Sequence, residues 1–112
     1  HIPLMQYDYA YNEYVENNIE FSGGKRETVS GAKYDSGMFD AILELGSTKN
    51  VIVGHDHIND FSLMYQDVRL TYGIKTGNGS YYMKDGSING GTVLTIDENN
   101  NTYITQKYVP MK

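Results

Sequence analysis

The stretch Val51-Ile52-Val53-Gly54-His55-Asp56-His57 sets the terms for everything around it. Its β-branched residues, with no polar alternation, define a short strand of the kind buried on both faces in layered α/β folds. The glycine that follows permits a tight turn and a close approach of backbone to a ligand. Two histidines then sit two residues apart. In extended chain such side chains point to the same side, with Cα atoms about 6.6 Å apart from a rise near 3.3 Å per residue. They can therefore serve one metal ion, or two ions roughly 3.5–4 Å apart. The chain holds 3 histidines, and the remaining one is His1, in His1-Ile2-Pro3-Leu4. Every histidine thus lies in this motif or at the first residue. A site outside the carboxyl end of a buried strand is also the usual position in open α/β sheets.

The segments on either side supply the frame. His1-Ile2-Pro3-Leu4 is extended, because proline biases the residue before it away from the helical region. Tyr7 to Ile19 mixes tyrosine with Asn and Glu and reads as a short irregular helix. Phe21 to Tyr34, polar and carrying Gly23-Gly24 and Gly31, reads as a loop on the rim of the site, with Lys25 and Arg26 at a solvated tip. Asp35 or Ser36 can cap a helix whose apolar stripe is Met38, Ile42 and Leu45, widened by Phe39 and Ala41, with Asp40 and Glu44 outward. Gly46 ends it as a left-handed residue. Beyond the histidines, Phe61–Tyr65 and Val68–Tyr72 read as a hairpin turning at Gln66-Asp67. Thr92–Ile96 and Thr102–Tyr108 read as a second hairpin around 97–101. The fold class is α/β, or α+β for this piece taken alone: one secure helix and a strand, then mostly antiparallel strands.

A length of 112 residues allows one domain, 1–112. A formal charge of −5 argues against a nucleic-acid binder, which needs a basic face to displace phosphate counterions. No apolar run approaches the roughly 20 residues that span a bilayer, so no membrane segment is expected. With Cys 0 there are no disulfides or zinc–thiolate sites, and the compartment stays open. The 11 tyrosines are unusual beside Trp 0. In a strand-rich chain they pave a half-buried sheet more often than they bind carbohydrate.

Gly54-His55-Asp56-His57-Ile58-Asn59-Asp60, followed by Tyr72-Gly73-Ile74-Lys75-Thr76-Gly77, resembles the C-terminal portion of the calcineurin-like metallophosphoesterases. The branch is the one related to purple acid phosphatases. His1-Ile2-Pro3 resembles an upstream His-x-Pro block of the same branch. Asn78-Gly79-Ser80-Tyr81 departs from it, where relatives carry more glycine and aromatic residues. The resemblance implies a four-layer α/β/β/α sandwich around two metal ions, iron, manganese or zinc. His1 and His55 would bind one ion and His57 the other, and a metal-bound hydroxide would attack a phosphate ester. It further implies that Asp56, at a variable position, is not a ligand. Asn59 and Asp60 would steady the histidines through hydrogen bonds or cap a turn, and Tyr72 and Lys75 would stand behind the ligands or at the substrate rim.

The front blocks of that family, Asp-x-His, Gly-Asp-x-x-Asp and Gly-Asn-His-Asp/Glu, have no counterpart within these residues. The expectation is a fragment, its metal set incomplete or empty, with no substantial phosphatase activity of its own. The strand Val51–Val53 and the helix face Met38–Leu45 would lack their usual neighbours, so a second copy is an expected partner through edge pairing. The competing reading is a non-catalytic β-rich module that binds glycan or protein through surface tyrosines. A small mononuclear hydrolase with Asp56 or Asp60 as base is a more distant third.

Overall fold

The computed structural model describes residues 1–17, 20–77, 79, 81, 83 and 87–109. It is a small mixed α+β domain. Helix α1 (Gln6–Tyr14) runs into a 3₁₀ turn, Val15–Asn17, and helix α2 is Met38–Leu45. Strands β1 (Asn50–Val53), β2 (Ser62–Tyr65) and β3 (Val68–Tyr72) form a sheet in the order β1-β3-β2. In it β1 lies parallel to β3, and β2 antiparallel. Strands β4 (Gly90–Ile96) and β5 (Thr102–Tyr108) form a separate antiparallel ribbon. The first helix begins at Gln6, and Asn18 and Ile19, which the sequence assigned to its end, lie outside the described residues, as do Asn78 and Ser80.

The β2–β3 hairpin turns at Gln66 and Asp67, both with positive φ (49° and 64°). Left-handed residues at both central positions give a two-residue turn whose twist matches that of the strands. Register divides the three-stranded sheet into two unlike faces. Val51, Val53, Leu63, Tyr65, Val68, Leu70 and Tyr72 share one, and on it Tyr7 and Ala10 of α1, Phe39 of α2 and Phe61 complete the core. Asn50, Ile52, Ser62, Met64, Arg69 and Thr71 share the other. That second face is polar: the Ser62 and Thr71 hydroxyls meet at 2.8 Å, and Arg69 pairs with Glu20 at 2.7 Å. Asn50 Nδ2 donates to Thr102 Oγ1 at 2.8 Å, joining β1 to the ribbon.

Two sequence expectations are corrected here. Strand β1 is not buried on both faces; it is an edge strand, half-buried at Val51, and Ile52 is 43% exposed. The alternation of side chains sends Ile52 to the polar face, which the ribbon covers only in part. In α2 the two ends of the stripe, Met38 (54% exposed) and Leu45 (79% exposed), do not meet the core, while Ile42 packs against it. Phe39 is buried instead, stacked on Tyr65 at 5.3 Å, with Ile42 half-buried one turn later. The aromatic ring, with more area to bury than Met38, sets the rotation of so short a helix. Its start is also shifted: Asp35 accepts from Gly37 N–H and Ser36 from Met38 N–H, forming the turn that precedes the helix. Gly46, with φ 72°, closes it as expected.

Tyr7 locks α1 to the sheet. Its hydroxyl, fully buried, lies 2.7 Å from Val51 O and 3.0 Å from Thr71 O, and accepts Thr71 N–H at 3.1 Å. The ring packs edge-on to Tyr72 at 5.2 Å. Burial pushes the Tyr7 phenol well above its ordinary pKa, so the hydroxyl stays neutral. Removing it strands carbonyl and amide groups at the β1–β3 seam. The Tyr7→Phe substitution is expected to lower stability by about 1–3 kcal/mol, read by urea unfolding.

Candidate functional site

The loop 54–60 leaves the end of β1 and carries the histidines. Gly54 N–H donates to His1 O at 3.0 Å, which lays the first residue alongside the strand end. A Cβ on Gly54 would come within 3.3 Å of His1 Nδ1, so glycine makes room for that ring. The sharp bend falls one residue later. His55 has φ 74°, and Asp56 N–H reaches back to Gly54 O at 2.9 Å, closing a three-residue turn with His55 at its centre. Such turns are rare and strained for a side-chain-bearing residue. The His55 ring meets the His1 ring edge-on, centroids 5.3 Å apart and planes at 84°. The strand geometry expected for His55-Asp56-His57 is therefore not kept: the two histidines face different neighbours.

His57 stacks on Tyr81, with ring centroids 4.1 Å apart and planes 10° from parallel. Its Nδ1 lies 3.1 Å from Tyr81 O, and its backbone N–H points to the Tyr81 hydroxyl at 3.4 Å. That hydroxyl donates to Glu27 Oε1 at 3.0 Å, and Ile58 N–H donates to the same oxygen at 3.2 Å.

The intervening polar residues are buried and turned the other way. Asp56 accepts from the Tyr72 hydroxyl at 2.5 Å and from Ser30 N–H at 3.0 Å. Asn59 Oδ1 accepts the N–H groups of Arg26 (2.7 Å) and Glu27 (3.0 Å), and its amide donates to Glu27 O at 3.2 Å. Asp60 is 0% exposed; it pairs with the Arg26 guanidinium and accepts Gly24 N–H (2.8 Å) and the Tyr108 hydroxyl. Asn59 and Asp60 thus hold the 22–31 loop. Lys25 and Arg26 are not a solvated tip: Lys25 pairs with Asp8 at 3.2 Å, and Arg26 is drawn in by the buried carboxylate. Gly23, with φ 78°, passes so close to Asp60 O that a Cβ would lie 2.3 Å from it. Lys75 donates to Gly77 O within its own loop, while Tyr72 lies in the core under Asp56.

The resemblance set Asp56 aside as a non-ligand, but nothing in the sequence placed it under the loop on Tyr72 and Ser30. Nothing in the sequence foretold Tyr81, which reaches His57 from 24 residues away, or Glu27, which holds Tyr81 and Ile58 N–H. Part of the tyrosine set has structural duties, while Tyr9, Tyr34 and Tyr103 are more than half exposed. Tyr7 and Tyr72 are core, Tyr11 packs on Phe61 at 5.2 Å, and Tyr81 and Tyr108 hold Glu27 and Asp60.

As a metal-binding set these residues are partial. His1 and His55 bring two imidazoles together, but the nearby carboxylates Asp56 and Asp60 are buried and engaged elsewhere. No group of three or more His, Cys, Asp or Glu able to hold a metal ion occurs among the described residues. A two-metal centre of the implied kind does not fit the described residues alone.

Comparison with known proteins gives the class. "Probable inactive purple acid phosphatase 29" of Arabidopsis thaliana is 33% identical over 99 residues, 88% of this chain and 24% of that protein. "Probable inactive purple acid phosphatase 14" of the same plant is 31% identical over 81 residues, 72% of this chain and 19% of that protein. The chain is phosphatase-related in sequence. More particularly, both relatives are purple acid phosphatase-like, and the chain is consistent with a C-terminal piece of that family. It spans about a quarter or less of the length of the curated relatives it matches. No family model and no solved structure matches it.

Two outcomes follow from the polar framework. In Asp56→Ala the Tyr72 hydroxyl and Ser30 N–H lose their acceptor. The expected cost is about 1–3 kcal/mol in urea unfolding, together with loss of the His1–His55 ring contact in nuclear Overhauser spectra. The second concerns alkali. Burial, then the Asp60 hydrogen bond, push Tyr108 up to about 12 from 10.0, and burial and Asp56 push Tyr72 up further. A folded-state pKa raised above the unfolded value contributes stability that is full below the unfolded pKa and lost as pH rises through the folded one. Stability should therefore fall as pH climbs from 10 towards 12, and less steeply in Tyr108→Phe, as followed by urea midpoints.

Proposed function

We propose that this chain is the rear part of a metallophosphoesterase domain, and that it supplies His1, His55 and His57 towards a two-metal centre completed by ligands outside these 112 residues. One observation carries the reading: the His1 and His55 rings meet at 5.3 Å beside a glycine whose missing Cβ leaves room for them. The purple acid phosphatase-like relatives support it, and phosphate esters are the substrate class that follows for the longer protein. Iron, manganese and zinc are the candidate ions. By itself the chain does not hydrolyse phosphate esters, because imidazoles alone offset little of the charge of two dications. That both relatives are named inactive supports this.

The expected result is no turnover of p-nitrophenyl phosphate above background with added manganese, iron or zinc. Robust metal-dependent hydrolysis sinks the reading of the isolated chain. Calorimetry with zinc should detect weak binding in the unaltered chain and none in His55→Ala. A four-layer sandwich for the whole domain belongs to the same proposal.

A second copy is the proposed partner of the isolated piece. β1 is an edge strand with Ile52 exposed, and α2 exposes Met38, Leu43 and Leu45. Unpaired edges beside apolar surface favour strand pairing between copies. Light scattering should report a mass that grows with concentration, and Ile52→Lys should restore the monomer. A clean monomer of the unaltered chain up to millimolar concentration would count against it.

A further inference from the structure

The Tyr81 carbonyl has no proton to give, and it lies 3.1 Å from His57 Nδ1. For that contact to be a hydrogen bond, the ring nitrogen must be the donor. A neutral imidazole that carries its proton on Nδ1 presents its lone pair on Nε2. The stack supplies the second constraint. At 4.1 Å and 10° from parallel, the Tyr81 ring covers one face of the imidazole and restricts its rotation about the side-chain bond. The third is the anchoring of Tyr81 itself. Its hydroxyl is held by Glu27 Oε1, which also accepts Ile58 N–H, the amide next to His57. The backbone of Glu27 is in turn clamped on both sides by the Asn59 amide.

We propose that Tyr81 is a positioning residue that fixes His57 as its Nδ1–H tautomer, with Nε2 as the nitrogen offered to a ligand, and that Asn59 and Glu27 act on His57 through it. The opposite tautomer, with the proton on Nε2, is the one a solvated histidine prefers. The arrangement therefore reverses an intrinsic preference, which a purely structural contact has no need to do. It also gives Asn59 a part in the site that its own hydrogen bonds do not reveal. The inference rests on the proposed function for its purpose, but not for its geometry: the tautomer is a property of the metal-free chain and can be read without turnover.

The test is long-range ¹H–¹⁵N correlation spectroscopy of the full, uniformly labelled chain without metal, at a pH of about 9, well above the usual imidazole value of about 6.5. The expected spectrum puts His57 Nδ1 in the protonated range and Nε2 in the lone-pair range. Tyr81→Ala keeps the backbone carbonyl but loses the stacked ring and the hydroxyl anchor that hold it against the imidazole; it should shift that ratio towards the solvated one and leave His55 unchanged. Tyr81→Phe, which keeps the ring but loses the Glu27 anchor, should fall between them. Glu27→Gln, which keeps an acceptor for the tyrosine hydroxyl, should restore the unaltered pattern, and Glu27→Ala should behave like Tyr81→Phe. A His57 that is mainly Nε2–H in the unaltered chain overturns the proposal. So does a Tyr81→Ala chain whose His57 signals match the unaltered ones. The first needs no variant to fold, and zinc calorimetry can fail without touching it.

Discussion

The carboxylate of Asp60 is fully buried, and an ion in that position must be compensated or it unfolds its surroundings. Its partners come from two separate parts of the chain: the Arg26 guanidinium and Gly24 N–H from the 22–31 loop, and the Tyr108 hydroxyl from β5. The backbone follows the same pattern. Asp60 N–H donates to Gly24 O, and Gln106 Nε2 donates to Asp60 O and Tyr72 O. One buried anion thus ties a loop without regular structure, and a ribbon of only two strands, to the three-stranded sheet. Neither would be stable alone, since an isolated hairpin is marginal in water.

That constraint explains how the histidine loop can be irregular and still defined. Between Gly54 and Asp60 there is no helix or strand to satisfy backbone groups, and His55 sits at a positive φ. A strained turn persists only where its surroundings over-determine it. Here they do so from beneath: Asp56 is held by Tyr72 and Ser30, Asn59 by Arg26 and Glu27, Asp60 as above. The motif therefore has two sets of residues with opposite duties. The histidines lie on the outer side of the loop, His55 exposed and His57 stacked on Tyr81, while the acidic and amide residues between and after them bind the frame.

Much of the fold was legible from local rules. The Gly46 stop, the hairpin at Gln66-Asp67 and the ribbon around 97–101 follow from turn chemistry and periodicity, which act over a few residues. The errors came where tertiary contact decided. A run of β-branched residues says that a strand forms, not that a neighbour lies on each side, so β1 proved to be an edge. In α2, Met38 and Phe39 satisfy similar periodicities, and only the position of Tyr65 decides which one is buried. In the site, the histidines and their glycine were visible because their chemistry is rare in the chain. Glu27 and Tyr81 were not, because a glutamate in a polar loop and one tyrosine among many carry no local mark.

The unevenness of the molecule itself supports the proposed incompleteness. Around the loop, polar groups are matched in detail; on the Asn50 side of the sheet one buried oxygen is not. Asn50 Oδ1 is buried without a partner, and Leu94 and Ile96 of the ribbon are exposed near a sheet face that already leaves Ile52 open. A buried unpaired carbonyl and open apolar side chains are each costly to a domain that must stand alone. A surface that further polypeptide covers bears no such cost. The same division holds in the site, where each histidine is positioned from behind by this chain while the space in front of His1 and His55 lacks a third ligand among the described residues. In the proposed shared centre, further polypeptide would supply the ligands on that side.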